Sequence, residues 1–177
     1  MQNRKHIFLC GFMGSGKSTQ GKKLASLLRM RFVDLDSYIQ KQENKVIQSI
    51  FDDEGELHFR NLETKYLKEL IEDKNDKVFS LGGGSVCFNN NIELIKKNGI
   101  LIYIEMPAAA LAERLNKSRK SRPLIKNLAA AELLNYVETK LSEREKYYLE
   151  SHLKINGIDL KPEKLKELIL TYKSAHV

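Results

Sequence analysis

A three-layer α/β/α fold, with a five-stranded parallel sheet covered by helices on both faces, is predicted for this chain by three observations. Five short apolar runs alternate with stretches of helical spacing along the 177 residues. Those runs are near-continuously apolar, the pattern of strands buried on both faces by helices of βαβ units. The first run, His6–Cys10, ends in a glycine-rich turn that leads directly into a helical segment.

The elements follow in order. His6–Cys10 reads as a buried strand, and Lys17–Leu28 as a helix with Leu24, Leu27 and Leu28 on one side. Phe32–Val33 is a second strand, ended by the acidic residues Asp34 and Asp36. A helical region follows, with a break expected near Asp52-Asp53, where Asp53 and Glu56 have capping-box spacing and open a helix to about Ile71. Val78–Leu81 and Ile100–Ile104 are strands, the former stopped by Gly82-Gly83-Gly84. Pro107 suits the first turn of a helix running to Leu115. Asn116–Leu128 is polar, basic and irregular; Ala129–Tyr148 is a long helix, His152–Ile155 the last strand and Pro162–Tyr172 a closing helix.

Hydrophobic residues at 42% and charged residues at 30% are near globular averages and argue against disorder. The length fits one domain. A net charge of +7 calls for an anionic partner or is ordinary solvated surface. No nucleic-acid signature and no aromatic-interleaved basic stripe accompanies it, so a phosphate ligand is favoured over nucleic acid. Cys10 and Cys87 make no disulfide framework and read as packing. The apolar run Ile7–Met13, interrupted by Gly11, is too short for a signal or membrane segment, so the expected setting is the cytoplasm without membrane attachment. With no apolar stripe beyond the helix faces, a monomer is expected.

Gly11-Phe12-Met13-Gly14-Ser15-Gly16-Lys17-Ser18 fits G-x-x-x-x-G-K-[ST] at every position and lies between a strand and a helix. Its glycines let backbone N–H groups curl around a β-phosphate at the positive end of the helix. Lys17 is placed to reach the β- and γ-phosphates, and the Ser18 hydroxyl to ligate Mg²⁺. The nucleotide contacts expected are Gly14, Ser15, Gly16, Lys17, Ser18 and Thr19. A parallel sheet binds ligands beyond the carboxyl ends of its strands, so Gly11–Ser18, Asp34–Asp36 and Gly82–Gly84 should converge on one cleft.

The rest of that cleft decides among phosphate-loop proteins. Asp34 and Asp36 alternate at the strand tip; Asp34 suits the Mg²⁺ shell and Asp36 an acceptor hydroxyl, with helix capping as the plain alternative. Arg60 has Glu63 one turn on, either as a surface pair or with Glu63 fixing a guanidinium that grips a carboxylate. Three glycines directly after a strand are costly to order and suit a backbone that donates N–H groups to a ligand. Lys117–Arg122, followed by Pro123, reads as a basic mobile lid that brings an arginine to the γ-phosphate.

GFMGSGKST (11–19), FVDLDSYI (32–39), IFDDEGELHFRNLE (50–63), FSLGGGSV (79–86), SRPLI (121–125) and SEREKYY (142–148) together resemble shikimate kinase. The resemblance spans nearly the whole chain and implies a P-loop NTPase fold with a mobile lid. It implies one domain over 1–177, with a substrate-binding helical region at about 36–62 and a lid at about 116–128. The activity implied is transfer of phosphate from ATP to the 3-hydroxyl of shikimate, on the route to chorismate and aromatic amino acids. Asp36 would bind and activate the hydroxyls, Arg60 and Arg144 clamp the carboxylate, and the Gly82, Gly83 and Gly84 backbone meet the ring hydroxyls. Lys17 and Arg122 would neutralise the phosphoryl group, Ser18 hold Mg²⁺ directly, Asp34 hold it through water, and Arg114 pack near the adenine. One departure is the segment Asn156–Leu160, which lacks the basic residue that relatives often carry there; Lys161 is the nearest. Two rivals remain. A gluconate kinase would share the loop and lid without needing F-R-x-x-E, the triple glycine and Arg144. A nucleotide-switched binding protein would show slow hydrolysis and salt-sensitive RNA affinity.

Overall fold

The computed structural model describes residues 6–73, 75–118, 125 and 128–176. Five strands form one parallel sheet: β1 (His6–Cys10), β2 (Arg31–Asp34), β3 (Lys77–Ser80), β4 (Gly99–Glu105) and β5 (Leu153–Asn156), in the order β2-β3-β1-β4-β5. The helices are α1 (Lys17–Leu28), α2 (Leu35–Glu43), α3 (Ile47–Glu72), α4 (Asn91–Asn98), α5 (Ala108–Ser118), α6 (Ala130–Tyr148) and α7 (Pro162–Ala175), with a short 3-10 turn at Ser85–Cys87.

The period-2 geometry of β1 explains the layering. Ile7 and Leu9 point into an aliphatic core with Leu24 of α1 and Leu165 and Ile169 of α7. Phe8 and Cys10 point the other way, into a core with Phe59, Leu62 and Leu67 of α3 and Tyr148 of α6. Every β1 side chain is buried, which is why the run shows no polar alternation. Burial also pushes the Cys10 thiol up to about 12, so this cysteine packs rather than reacts. The chain order reverses direction about β1, and the segments after β1 and β3 lie side by side, with the Leu81 N–H donating to the Leu9 carbonyl at 3.0 Å.

Four expectations are corrected. The break in the helical region falls at Gly55 (φ 83°, ψ 168°), not at Asp52-Asp53. The expected capping box is absent because its side chains are engaged elsewhere: Asp53 pairs with Lys45, and Glu56 with Arg60. The second strand ends at Asp34, and Asp36 already stands in the first turn of α2; the Asp34 carboxylate caps that helix by accepting the Ser37 N–H at 3.1 Å. Residues 116–118 continue α5 rather than opening an irregular stretch. Helix α4 is not among the expected elements, since Ile92 and Ile95 are its only buried apolar residues.

Candidate active site

The loop after β1 is shaped by its glycines. Gly14 and Gly16 have positive φ, and a Cβ on Gly11 would come within 2.7 Å of the Ile104 carbonyl oxygen. Helix α1 starts at Lys17 with no side-chain cap and no acidic residue in its first turn, so its positive end faces the loop unneutralised. The buried Lys17 Nζ donates to the Gly11 and Phe12 carbonyls at 2.8 and 2.9 Å, which locks the ammonium beneath the loop. Ser18 Oγ donates to Asp34 Oδ2 at 2.6 Å and lies 3.0 Å from Ser80 Oγ.

A cavity of about 370 Å³ lies along this loop and is also lined by Asp36, Ser80, Gly83, Arg114 and Ser118. Arg114 Nη1 lies 3.2 Å from Met106 Sδ and 3.5 Å from the Gly14 carbonyl. A second cavity of about 480 Å³ is lined by Phe51, Phe59, Arg60, Glu63, the three glycines and Arg144. Met13, Asp36 and Gly83 border both cavities.

Arg60 is held rigidly. Its guanidinium donates to the fully buried Glu63 at 2.6 Å, and to Glu56 at 2.8 and 3.1 Å. The Phe88 ring stands 4.4 Å from its centre. Burial works against the charge, but the Glu63 and Glu56 carboxylates outweigh it and raise the Arg60 pKa. Glu63 also accepts from the Ser85 hydroxyl, so both its oxygens are engaged. The glycines are required by this crowding. A Cβ on Gly82 would lie 2.7 Å from both Asp36 Oδ1 and Glu63 Oε1, and one on Gly84 would lie 2.8 Å from Arg60 Nη2. On the far wall, Arg144 faces the Phe12 ring at 5.6 Å, and its Nη1 would be 3.2 Å from a Cβ on Gly83.

Asp36 is half-buried at the junction. Desolvation, then the nearby Glu63 and Asp34 carboxylates, push its pKa from 3.8 to about 6 against the pull of Lys17 and Arg60. A base tuned toward neutral pH can hold a hydroxyl and take its proton.

The expected residues Gly14, Gly16, Lys17, Ser18, Thr19, Asp34, Asp36 and Arg114 thus share the first cavity, and Arg60, Gly82, Gly83, Gly84 and Arg144 line the second. Ser15 is in the loop but buried, with no hydrogen-bond partner for its hydroxyl among the described residues. Arg122 lies outside the described residues. Sequence reasoning missed Ser80, Glu56, Ser85 and Tyr148. Ser80 and Ser85 are common polar residues without helical spacing to a partner, whereas Glu56 stands four residues before Arg60 and Tyr148 four after Arg144, the i,i+4 spacing of a helical pair.

Fold and site together define a P-loop NTPase-like phosphotransferase, with two cavities that share the Asp36 carboxylate. Residues 13–173 match the family model of shikimate kinase. The shikimate kinase of Azobacteroides pseudotrichonymphae is 41% identical over 144 residues, which cover 81% of this chain and 85% of that protein. The crystal structure of shikimate kinase from Bacteroides thetaiotaomicron matches with a TM-score of 0.88 and 32% identity, covering 93% of this chain and 97% of that one. The shikimate kinase of Acinetobacter baumannii, solved in complex with shikimate, matches with a TM-score of 0.86 and 33% identity, covering 97% of this chain and 96% of that one. The chain belongs to the shikimate kinase family.

Proposed function

We propose that this enzyme transfers the γ-phosphoryl group of ATP to the 3-hydroxyl of shikimate, giving shikimate 3-phosphate and ADP. The observation that carries the reading is Asp36, which borders both cavities and has a pKa raised to about 6. ATP would lie along Gly14–Thr19 with its base toward Arg114, and shikimate would occupy the cavity beside Arg60. A substrate with one carboxylate and three hydroxyls suits that cavity, since Arg60 and Arg144 offer cations there and Asp36 and the glycine backbone offer hydroxyl partners. Asp36 would hold the 3-hydroxyl and accept its proton as the oxygen attacks phosphorus. Lys17 would exchange its two carbonyl partners for phosphate oxygens, and its charge would follow the group in transfer.

The donors beside Lys17 fit Mg²⁺. Ser18, Ser80 and Asp34 supply hard oxygens, and among the described residues no cluster of three His, Cys, Asp or Glu suggests another metal. Ser18 and Asp34 would hold the ion, which supplies charge neutralisation to the phosphates when bound. By resemblance to the family, Arg122 would reach the γ-phosphate and residues of about 116–128 would include a lid. The enzyme is proposed to act as a monomer in the cytoplasm; among the described residues no helix is long and apolar enough to cross a membrane.

The test is coupled ADP release with ATP and Mg²⁺, with shikimate, with gluconate and with neither. Turnover that requires shikimate, and a shikimate KM raised at least about tenfold in Arg60→Ala, is expected. Turnover with gluconate instead, or hydrolysis indifferent to either acid, refutes the assignment.

A further inference from the structure

The Arg144 wall and the triple glycine come from chain segments far apart, yet they must keep a fixed separation if one small acid is to touch both. One side chain joins them. Tyr148 is fully buried at the end of α6, and its hydroxyl donates to the Gly83 carbonyl, 65 residues away in the chain. Arg144 stands one turn back on the same helix, and its Nη1 would be 3.2 Å from a Cβ on Gly83. Burial raises the phenol pKa far above its ordinary value, with the Arg144 charge pulling the other way, so the hydroxyl keeps its proton to donate. The ring itself is fixed by stacking on Tyr103 of β4, with centroids 4.9 Å apart and planes 26° from parallel.

We infer that Tyr148 is a positioning residue for the acceptor: its hydroxyl ties the Gly83 peptide to the last turn of α6, the helix that carries Arg144. The inference rests on the reading of Arg144 and Gly82–Gly84 as shikimate contacts. The physical case is geometric. A Gly-Gly-Gly peptide has more backbone freedom than any other tripeptide. A single hydroxyl that donates to this peptide from the helix that carries Arg144 removes that freedom and ties the peptide to α6, and it does so outside the substrate cavity, since Tyr148 is not among the lining residues. The phosphate cavity shares only Gly83 with this arrangement, so the nucleotide's main contacts at Lys17, Ser18 and Arg114 are untouched by it.

Tyr148→Phe deletes the hydroxyl and keeps the ring, its burial and its stack. The expected result is a shikimate KM raised about 10- to 100-fold, the scale of misplacing a substrate-orienting group, with the ATP KM changed less than about twofold. Tyr103→Phe is the control, because Tyr103 shares the stack but its ring borders a separate cavity with Glu105 and Glu145. It should leave both KM values alone. An unchanged shikimate KM in Tyr148→Phe overturns the inference. So does a parallel rise in both KM values or a similar loss in Tyr103→Phe, since either marks general loosening of the core. Absence of shikimate-dependent turnover in the unmodified enzyme overturns the functional reading beneath it instead.

Discussion

Replacing Asp36 by asparagine should inactivate the enzyme and stabilise it at once. In the folded protein the Asp36 carboxyl has its pKa raised from 3.8 to about 6, first by desolvation and then by Glu63 and Asp34. Between those two values the folded state keeps a proton that the unfolded chain has released. Stability therefore falls as pH rises through that window, and the whole cost persists above pH of about 6. The difference corresponds to about 3 kcal/mol, an upper figure because Asp36 is only half-buried. Asparagine has a similar shape and no charge to desolvate. Urea unfolding of the two proteins should show the variant more stable by about 1–3 kcal/mol at pH 7.5, by about half as much at pH 5, and by nothing near pH 3.5. Shikimate-dependent turnover should fall at least about 100-fold in the same protein, the contribution of a positioned base. An Asp36→Asn variant no more stable than the original at pH 7.5, or a gain that does not shrink with acid, would refute the claim that Asp36 is held charged against its environment.

Three further perturbations read neighbouring parts of the same site. Glu63→Gln removes one of the charges that raise the Asp36 pKa, so the acid limb of the kcat/KM profile should move to lower pH by less than about one unit; a limb that stays or rises contradicts the coupling. The same change leaves the buried Arg60 with Glu56 as its remaining carboxylate, at a cost of about 1–3 kcal/mol in chemical denaturation. Asp34→Asn keeps a good N-cap for α2, so unfolding midpoints should hardly change, whereas the Mg²⁺ concentration for half-maximal rate should rise about tenfold. Gly82→Ala drives a methyl to 2.7 Å from two carboxylates, and should cost about 1–3 kcal/mol of stability together with a raised shikimate KM in steady-state assays.

What could be read from the sequence divides along a physical line. The phosphate loop was legible because its chemistry is local: consecutive glycines, a lysine and a serine act on one ligand through one turn of backbone. The strands were legible because burial on both faces leaves no polar alternation, as β1 shows. The break in α3 was misplaced because capping spacing at Asp53 and Glu56 is equally compatible with ion pairs, and Lys45 and Arg60 had taken those carboxylates. Gly55, an isolated glycine in a helical pattern, carried the real signal in its positive φ, which no pattern of side chains displays. The remaining gap is of another kind. Arg60 and Glu63 are one turn apart and could be paired on paper, but Tyr148 and Gly83 meet only because the sheet brings the end of α6 over the segment after β3. A tyrosine at the end of an amphipathic helix is read as core, and the Tyr148 ring is core. Its hydroxyl is the part that reaches the site, so the residue satisfies both readings, and only the fold shows the second.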